Sequence, residues 1–164
     1  MNAIISSAYD IQPVCDWGRV DANTGHSTHI VSEHIKVKEI PKTTKRVYVV
    51  SLGQDASSNA EVELLLRKCG KKTCDDGPNY LLGLLSEFSI KDLPEPLAFR
   101  GIVASGSRNL VRCTFPFYHS PGYLYATIAV NGHRSFGICG EPPQDIWPGK
   151  YWYRRHWLFL AEDL

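Results

Sequence analysis

Residues 57–88, SSNAEVELLLRKCGKKTCDDGPNYLLGLLSEF, decide the fold because their apolar residues recur at helical spacing. The apolar residues of the first half follow the i, i+3, i+4, i+7 rule: Val62, Leu65, Leu66 and Cys69. Those of the second half repeat the same spacing: Leu81, Leu84, Leu85 and Phe88. Each half therefore predicts a helix that buries one apolar stripe.

The ends of both segments carry helix-capping signals. Ser58 and Glu61 have the spacing of a capping box, in which side chains bond the free amide groups of the first turn. Gly70 is predicted to end the first helix because glycine adopts the left-handed conformation of a helix C-terminus without steric cost. Residues 75–76 and Pro78 predict the start of the second helix, with an acidic first turn and proline at or near its first position.

The second helix is predicted to be the more deeply buried of the two. Tyr80 and Leu82 widen its apolar face beyond a single stripe. Gly83 leaves room for another backbone to approach this helix closely. In the first helix, Glu63 and Arg67 have the spacing of an i, i+4 ion pair.

The rest of the chain predicts strands and turns. Apolar, β-branched and aromatic residues predict strands in seven segments: residues 34–40, 45–52, 99–104, 110–117, 123–130, 133–139 and 151–161. Asn131-Gly132 is the strongest hairpin signal, since both positions of a two-residue turn favour positive φ. The first two segments are predicted to pair as a hairpin across residues 41–44. Residues 1–32 are rich in turn formers and predict irregular structure, anchored by Trp17.

These elements predict a single α+β domain that covers residues 1–164. It has a mainly antiparallel sheet of about five to seven strands, with the two central helices packed on one face. A chain of 164 residues, of which 43% are hydrophobic, is long enough for one well-buried core and too short for two.

Charge and cysteine content narrow the classes of function. The formal net charge of +1 removes the general electrostatic argument for a nucleic-acid or membrane-surface protein. No apolar run approaches the roughly 18 residues of a spanning helix, and residues 1–10 lack a basic segment ahead of an apolar core, so we expect a soluble, unprocessed protein. Five cysteines at irregular spacing fit reduced thiols, which predicts a cytoplasmic location.

The order of several sequence blocks carries a family resemblance. The blocks are CDWGRVD at 15–21, YVVSLG at 48–53, GPNYLLGLLSEF at 77–88, IVASGS at 102–107 and WLFLA at 157–161. In this order the chain resembles a group of small uncharacterised proteins of bacteria and their mobile elements. The Arg-Pro-Ala that usually leads into the group's second helix is replaced here by Lys72, Thr73 and Cys74. The group has no established activity, so the resemblance bears on the fold alone.

Two groups of residues have the side chains of metal ligands without the spacing of a metal site. Cys69 and Cys74 bracket the joint between the helices, but a zinc site needs about four ligands and a second close pair is missing. His26, His29 and His34 match no usual ligand arrangement. For the cysteines we therefore predict buried structural thiols rather than a metal site or a redox pair. For the histidines we predict surface positions rather than metal ligands. No metal and no cofactor are expected.

Cys113 and His119 suggest a nucleophile and its base, because a thiolate forms near neutral pH only beside a group such as imidazole. The two side chains would meet only if the chain turned at Pro116 or Pro121. No third orienting residue accompanies them, and the Ser-Gly-Ser of residues 105–107 lacks the full nucleophile-elbow pattern. The sequence therefore predicts no catalytic residue.

One C-terminal segment, called here the aromatic-arginine segment, is the leading candidate for a binding surface. It combines large rings with basic groups: Trp147, Tyr151, Trp152, Tyr153, Arg154, Arg155, His156 and Trp157. Tryptophan, tyrosine and arginine dominate the hot spots of protein interfaces, which favours a protein partner. The same groups stack on bases and contact phosphates, so a nucleic acid or a phosphorylated ligand is the alternative. In a third interpretation, the rings belong to the core and the arginines extend to water.

Together these features predict a non-enzymatic cytoplasmic binding protein, namely a bacterial or phage accessory or inhibitor factor that acts through the aromatic-arginine segment. The alternative is a small enzyme, or a ligand- or nucleotide-binding protein, with a polar pocket that uses Cys113, His119 or the histidines of residues 26–34. No membrane association is predicted, and the sequence indicates no particular oligomeric state.

Overall fold

Leu158–Asp163, the last strand of the chain, lies at the centre of the sheet. The computed structural model describes residues 3–15, 35–37, 39–87, 102–104, 110–113, 123–128, 134–139 and 158–164. The described helices are α1 (Asn59–Arg67) and α2 (Gly77–Glu87). The described strands are β1 (Ile4–Ile11), β2 (Ile35–Val37), β3 (Lys45–Ser51), β4 (Lys71–Thr73), β5 (Ile102–Ala104), β6 (Leu110–Cys113), β7 (Tyr123–Ile128), β8 (Arg134–Cys139) and β9 (Leu158–Asp163).

Seven of the described strands form one sheet, in the order β1-β3-β9-β5-β7-β8, and β4 also pairs with β9. β5 runs parallel to β9, with Ile102 opposite Leu158, and the other pairings in this sheet are antiparallel. β2 and β6 form a separate antiparallel pair. This architecture confirms the predicted α+β domain with a mainly antiparallel sheet.

The two helices cover opposite faces of the sheet. The residues of β3 and β9 that pack with α2 are Val47, Val49, Leu158 and Leu160. Those that pack with α1 are Val50, Phe159 and Ala161. The prediction that both helices pack on one face is therefore wrong. Because strand side chains alternate between faces, the uninterrupted apolar run of β9 has to be covered on both sides.

Helix α1 is capped as the sequence predicts. Ser58 Oγ accepts a hydrogen bond from the Glu61 backbone N–H at 3.2 Å, and the Glu61 carboxylate accepts one at 2.7 Å from the backbone N–H that precedes the cap. Glu63 and Arg67 form the predicted ion pair at 3.4 Å. Beyond the helix end, Gly70 has φ +75°, the left-handed conformation that glycine tolerates. Neither described helix has the length and apolarity needed to cross a membrane.

Helix α2 is the more deeply buried helix, as predicted. Its apolar residues Tyr80, Leu81, Leu82, Leu84 and Leu85 are all buried, whereas α1 exposes 58% of Leu64. A Cβ atom placed on Gly83 would collide with the Gln12 carbonyl oxygen and would lie 2.7 Å from Ile11 Cγ2, so glycine permits the close approach of the backbone after β1. Residues 75–76 precede the helix and do not supply an acidic first turn.

Two of the described strands, β1 and β4, are not predicted from the sequence. β1 lies within residues predicted to be irregular, and a β-bulge between Ile5 and Ser7 explains why its apolar residues show no simple alternation. β4 lies in the joint that Cys69 and Cys74 bracket, where the sequence predicts no strand, yet Lys71 pairs with Asp163 in the sheet. A three-residue strand of polar side chains carries no hydrophobic period from which to predict it.

The predicted pairing between residues 34–40 and 45–52 is wrong. β2 pairs with β6, with Ile35 opposite Cys113, while β3 pairs with β1 and β9. Both segments are strands, so the error concerns only their partners. Closeness in the chain favoured a hairpin, but β3 is occupied by strands on both of its edges.

The strands on either side of Asn131-Gly132 pair antiparallel, as the hairpin signal predicts. The turn residues themselves lie outside the described part of the chain. The last pair, Ile128 with Arg134, encloses the five residues 129–133, whereas uninterrupted pairing around a two-residue turn would place Ile128 opposite Ser135. The register therefore differs by one residue from that of the simplest Asn-Gly hairpin.

Candidate functional site

The eight residues of the aromatic-arginine segment fall outside the described residues: Trp147, Tyr151, Trp152, Tyr153, Arg154, Arg155, His156 and Trp157. The described chain resumes directly after them at Leu158, which is fully buried at the start of β9. Their role as a binding surface stays a prediction. The structure offers three other sites for consideration: a polar cluster around Glu162, a groove beside α2 and the edge of the sheet at β1.

The cysteines that bracket the joint do not come together. Cys74 is buried in the apolar cluster on the α2 face, whereas Cys69 packs against the cluster on the α1 face. The Cys69 thiol donates a hydrogen bond to the Leu66 carbonyl oxygen at 3.1 Å. Burial raises the pKa of the Cys74 thiol above its ordinary value of 9.0, which disfavours the reactive thiolate. These contacts fit two structural thiols on opposite sides of the sheet.

The remaining chemical candidates lie mainly beyond the described residues. These include His26, His29, His34 and His119. Cys113 ends strand β6, and only its backbone is described. Within the described residues, no group of three or more histidine, cysteine, aspartate or glutamate side chains is placed to hold a metal ion.

A carboxylate that the sequence did not single out organises the first site. The Glu162 side chain is only 12% exposed, and its oxygens lie 2.7 Å from Lys45 Nζ and 3.2 Å from Lys72 Nζ. The same carboxylate accepts a hydrogen bond from the Asp75 backbone N–H at 3.1 Å. Lys72 Nζ also donates to the Asp75 carboxylate at 2.8 Å. The cluster thus ties β3, β4 and the approach to α2 to the central strand.

Lys45 is held from several sides in this cluster. Its ammonium group donates to the Asp75 carbonyl oxygen at 3.0 Å and lies 4.6 Å from the centre of the Tyr80 ring. Burial is the largest single influence and lowers the pKa of Lys45, but the hydrogen bond to Glu162 and the interactions with nearby groups together outweigh it, so the pKa is raised overall. Tyr80 in turn donates to the Thr43 carbonyl oxygen at 2.7 Å. Because every charge is compensated internally, we interpret the cluster as structural.

The second site is a polar groove of about 340 Å³. It lies between the end of β1, the segment that leads into β3, and the last turn of α2. Its charged and polar side chains come from these three elements: Asp10, Gln12, Lys42, Thr44, Ser86 and Glu87. Gly83 also lines the groove. The groove is therefore built from residues other than those named by the polar-pocket alternative of the sequence.

The third site is the outer edge of β1. This eight-residue strand ends the sheet order, and among the described strands it pairs only with β3. Ile4 and Ile5 are 61% and 41% exposed. Asp10 is the only charged residue of the strand, and its carboxylate is bound by Arg46 Nη1 at 3.1 and 3.2 Å. An edge with exposed isoleucines and one compensated charge has little of the usual protection against pairing with another strand.

No protein-family model, curated protein or solved structure matches this chain.

Proposed function

We propose that this protein is a non-enzymatic binding protein, an accessory or inhibitor factor of a bacterial or phage cytoplasm that acts by contacting another protein. The observation that carries the proposal is the outer edge of β1, which pairs with no strand within the described part of the chain and carries the exposed side chains of Ile4 and Ile5. The aromatic-arginine segment is a second, independent candidate for the same kind of contact.

Backbone geometry supports the choice of β1. The outer edge of a terminal strand presents unpaired N–H and C=O groups, which an extended segment of another protein can bond. Consecutive side chains of a strand point to opposite faces, so Ile4 and Ile5 place exposed apolar surface on both sides of the strand. A fitting partner therefore presents an extended segment with apolar side chains.

Lysine substitutions test this contact. We expect the double variant Ile4→Lys, Ile5→Lys to bind the partner at least about tenfold more weakly, because charged side chains on an edge oppose strand addition. Leu64→Lys is the matched control, since Leu64 is 58% exposed but lies on α1. The measurement starts with capture of the partner from the host by the full chain and ends with its affinity for each variant.

The outcome separates the two candidate surfaces. Loss of affinity in the β1 variant alone supports strand addition at β1. Loss in Trp152→Ala or Arg154→Ala, by about 1–2 kcal/mol and with an unaffected β1 variant, assigns the contact to the aromatic-arginine segment. A partner that binds all of these variants as tightly as the wild type contradicts both candidate surfaces, and the absence of any captured partner contradicts the proposed function.

The polar groove favours a second function, the binding of a small ligand. Its volume of about 340 Å³ falls within the range of roughly 300–1,000 Å³ that is usual for ligand sites. This function does not exclude a protein partner at β1, because Ile4 and Ile5 do not line the groove.

A further inference from the structure

The charges that line the polar groove differ in how they are compensated. The Asp10 carboxylate is bound by Arg46. Lys42 and Glu87 line the same groove from different elements, and within the described part of the chain neither makes an ion pair, with the other or with any third residue. The groove therefore offers one available ammonium group and one available carboxylate.

The two charges lie in surroundings that suit a ligand of mixed charge. Glu87 is the last residue of α2 that the structure describes, and its carboxylate lines the groove. This end of the groove attracts a cation. Lys42 lies outside the helix, in the segment before β3, where it can meet an anion. Gln12 and Thr44 add neutral hydrogen-bonding groups to the lining.

We propose that the groove binds a small zwitterion of the free α-amino-acid class. Its carboxylate pairs with Lys42 Nζ, and its ammonium group pairs with the Glu87 carboxylate. The volume of about 340 Å³ is near the lower end of the usual range for ligand sites, which suits a ligand of this size. This proposal does not depend on a protein partner at β1.

Matched ligands test the requirement for both charges. The twenty common L-amino acids, at millimolar concentration, are screened against the full chain by ligand-observed NMR. The best binder is then compared with its N-acetyl derivative, which lacks the ammonium group, and with its amide, which lacks the carboxylate. We expect each derivative to bind at least about tenfold more weakly, because each loses one charge-assisted contact.

Matched variants test the assignment of residues. Lys42→Met and Glu87→Gln should each weaken binding of the same amino acid by about tenfold. Lys68→Met and Glu39→Gln are the controls, since both side chains are exposed and neither lines the groove. Thermal melting checks that all four variants are folded.

Selective loss in the two groove variants supports the site. The proposal is overturned if no amino acid binds, if the blocked derivatives bind equally well, or if the controls weaken binding as much as the groove variants do.

Discussion

Glu162 is a nearly buried carboxylate that depends on its neighbours for solvation. Lys45, Lys72 and the Asp75 backbone N–H together replace the water that a buried anion loses. Lys45 and Glu162 are 117 positions apart in the chain. No local sequence pattern connects residues at this separation, so the cluster becomes visible only once β3 and β9 are adjacent.

Neutralising this carboxylate should destabilise the fold. We expect Glu162→Gln to lower the free energy of unfolding by about 1–3 kcal/mol, because both lysines lose a charge-assisted bond while remaining partly buried. Urea unfolding followed by circular dichroism measures the change. Glu39→Gln is the control, since Glu39 is exposed and makes no ion pair within the described residues. Equal stability of the Glu162→Gln variant and the wild type would contradict the structural role of the cluster.

The buried thiol of Cys74 should make the fold sensitive to alkali. Its pKa is raised by burial above the ordinary value of 9.0, so above that pH the unfolded chain releases the proton while the folded chain retains it. Stability must then fall as the pH rises through 9. Lys45, whose pKa is raised from 10.5, loses its contribution only at higher pH, as the pH rises through its folded-state value.

The expected loss attributable to Cys74 is about 1 kcal/mol between about pH 8 and about pH 10. Urea unfolding at the two pH values should show a smaller decline for Cys74→Ala than for the wild type. Cys69→Ala, which removes a thiol from the opposite face, should keep the wild-type decline. If Cys74→Ala and the wild type decline equally, the Cys74 thiol is not responsible.

Among the elements, the two helices could be predicted closely and the strand pairings could not. A helix can be predicted from the local periodicity of its apolar residues and from caps such as Ser58 and Gly70. Both caps lie within a few residues of the turns they stabilise. Pairing is decided by residues far apart in the chain, as in β2 with β6. The bulge in β1 additionally removes the alternation on which strand prediction depends.

The contact between α2 and the end of β1 predicts that replacing a helical glycine by alanine destabilises the protein, which is the opposite of the usual effect. Helix propensity alone predicts that Gly83→Ala stabilises the protein by up to about 1 kcal/mol. The structure predicts the opposite, a loss of about 1–3 kcal/mol, because the new Cβ atom collides with the Gln12 backbone. Thermal or urea unfolding decides the sign. A stabilised variant would contradict the close approach of the two backbones.

At the scale of the whole molecule, the central position of β9 determines the arrangement of the helices. The sequence contains a signal for this position in the apolar run of residues 158–161, since a strand covered on one face only would alternate with polar residues. The run is only four residues long, so it predicts a strand without indicating which strands lie beside it. The consequence is a sheet with α1 on one face and α2 on the other.

The candidate sites were less accessible from sequence than the fold. The groove requires three elements to meet, and the edge strand requires knowledge of the sheet order. Residue composition could indicate only the aromatic-arginine segment as a binding surface, because tryptophan, tyrosine and arginine are typical of such surfaces whatever the fold. A site formed by common residues such as Lys42 and Glu87 has no compositional signature.

Amide hydrogen exchange of β1 tests the proposed protein contact most directly. Exchange at residues 4–11 is measured in the free protein and again after addition of the captured partner. Strand addition at the outer edge predicts that alternate amides of β1 become protected, because their N–H groups gain partners in the added strand. Unchanged exchange throughout β1 in the saturated complex would contradict strand addition at this edge.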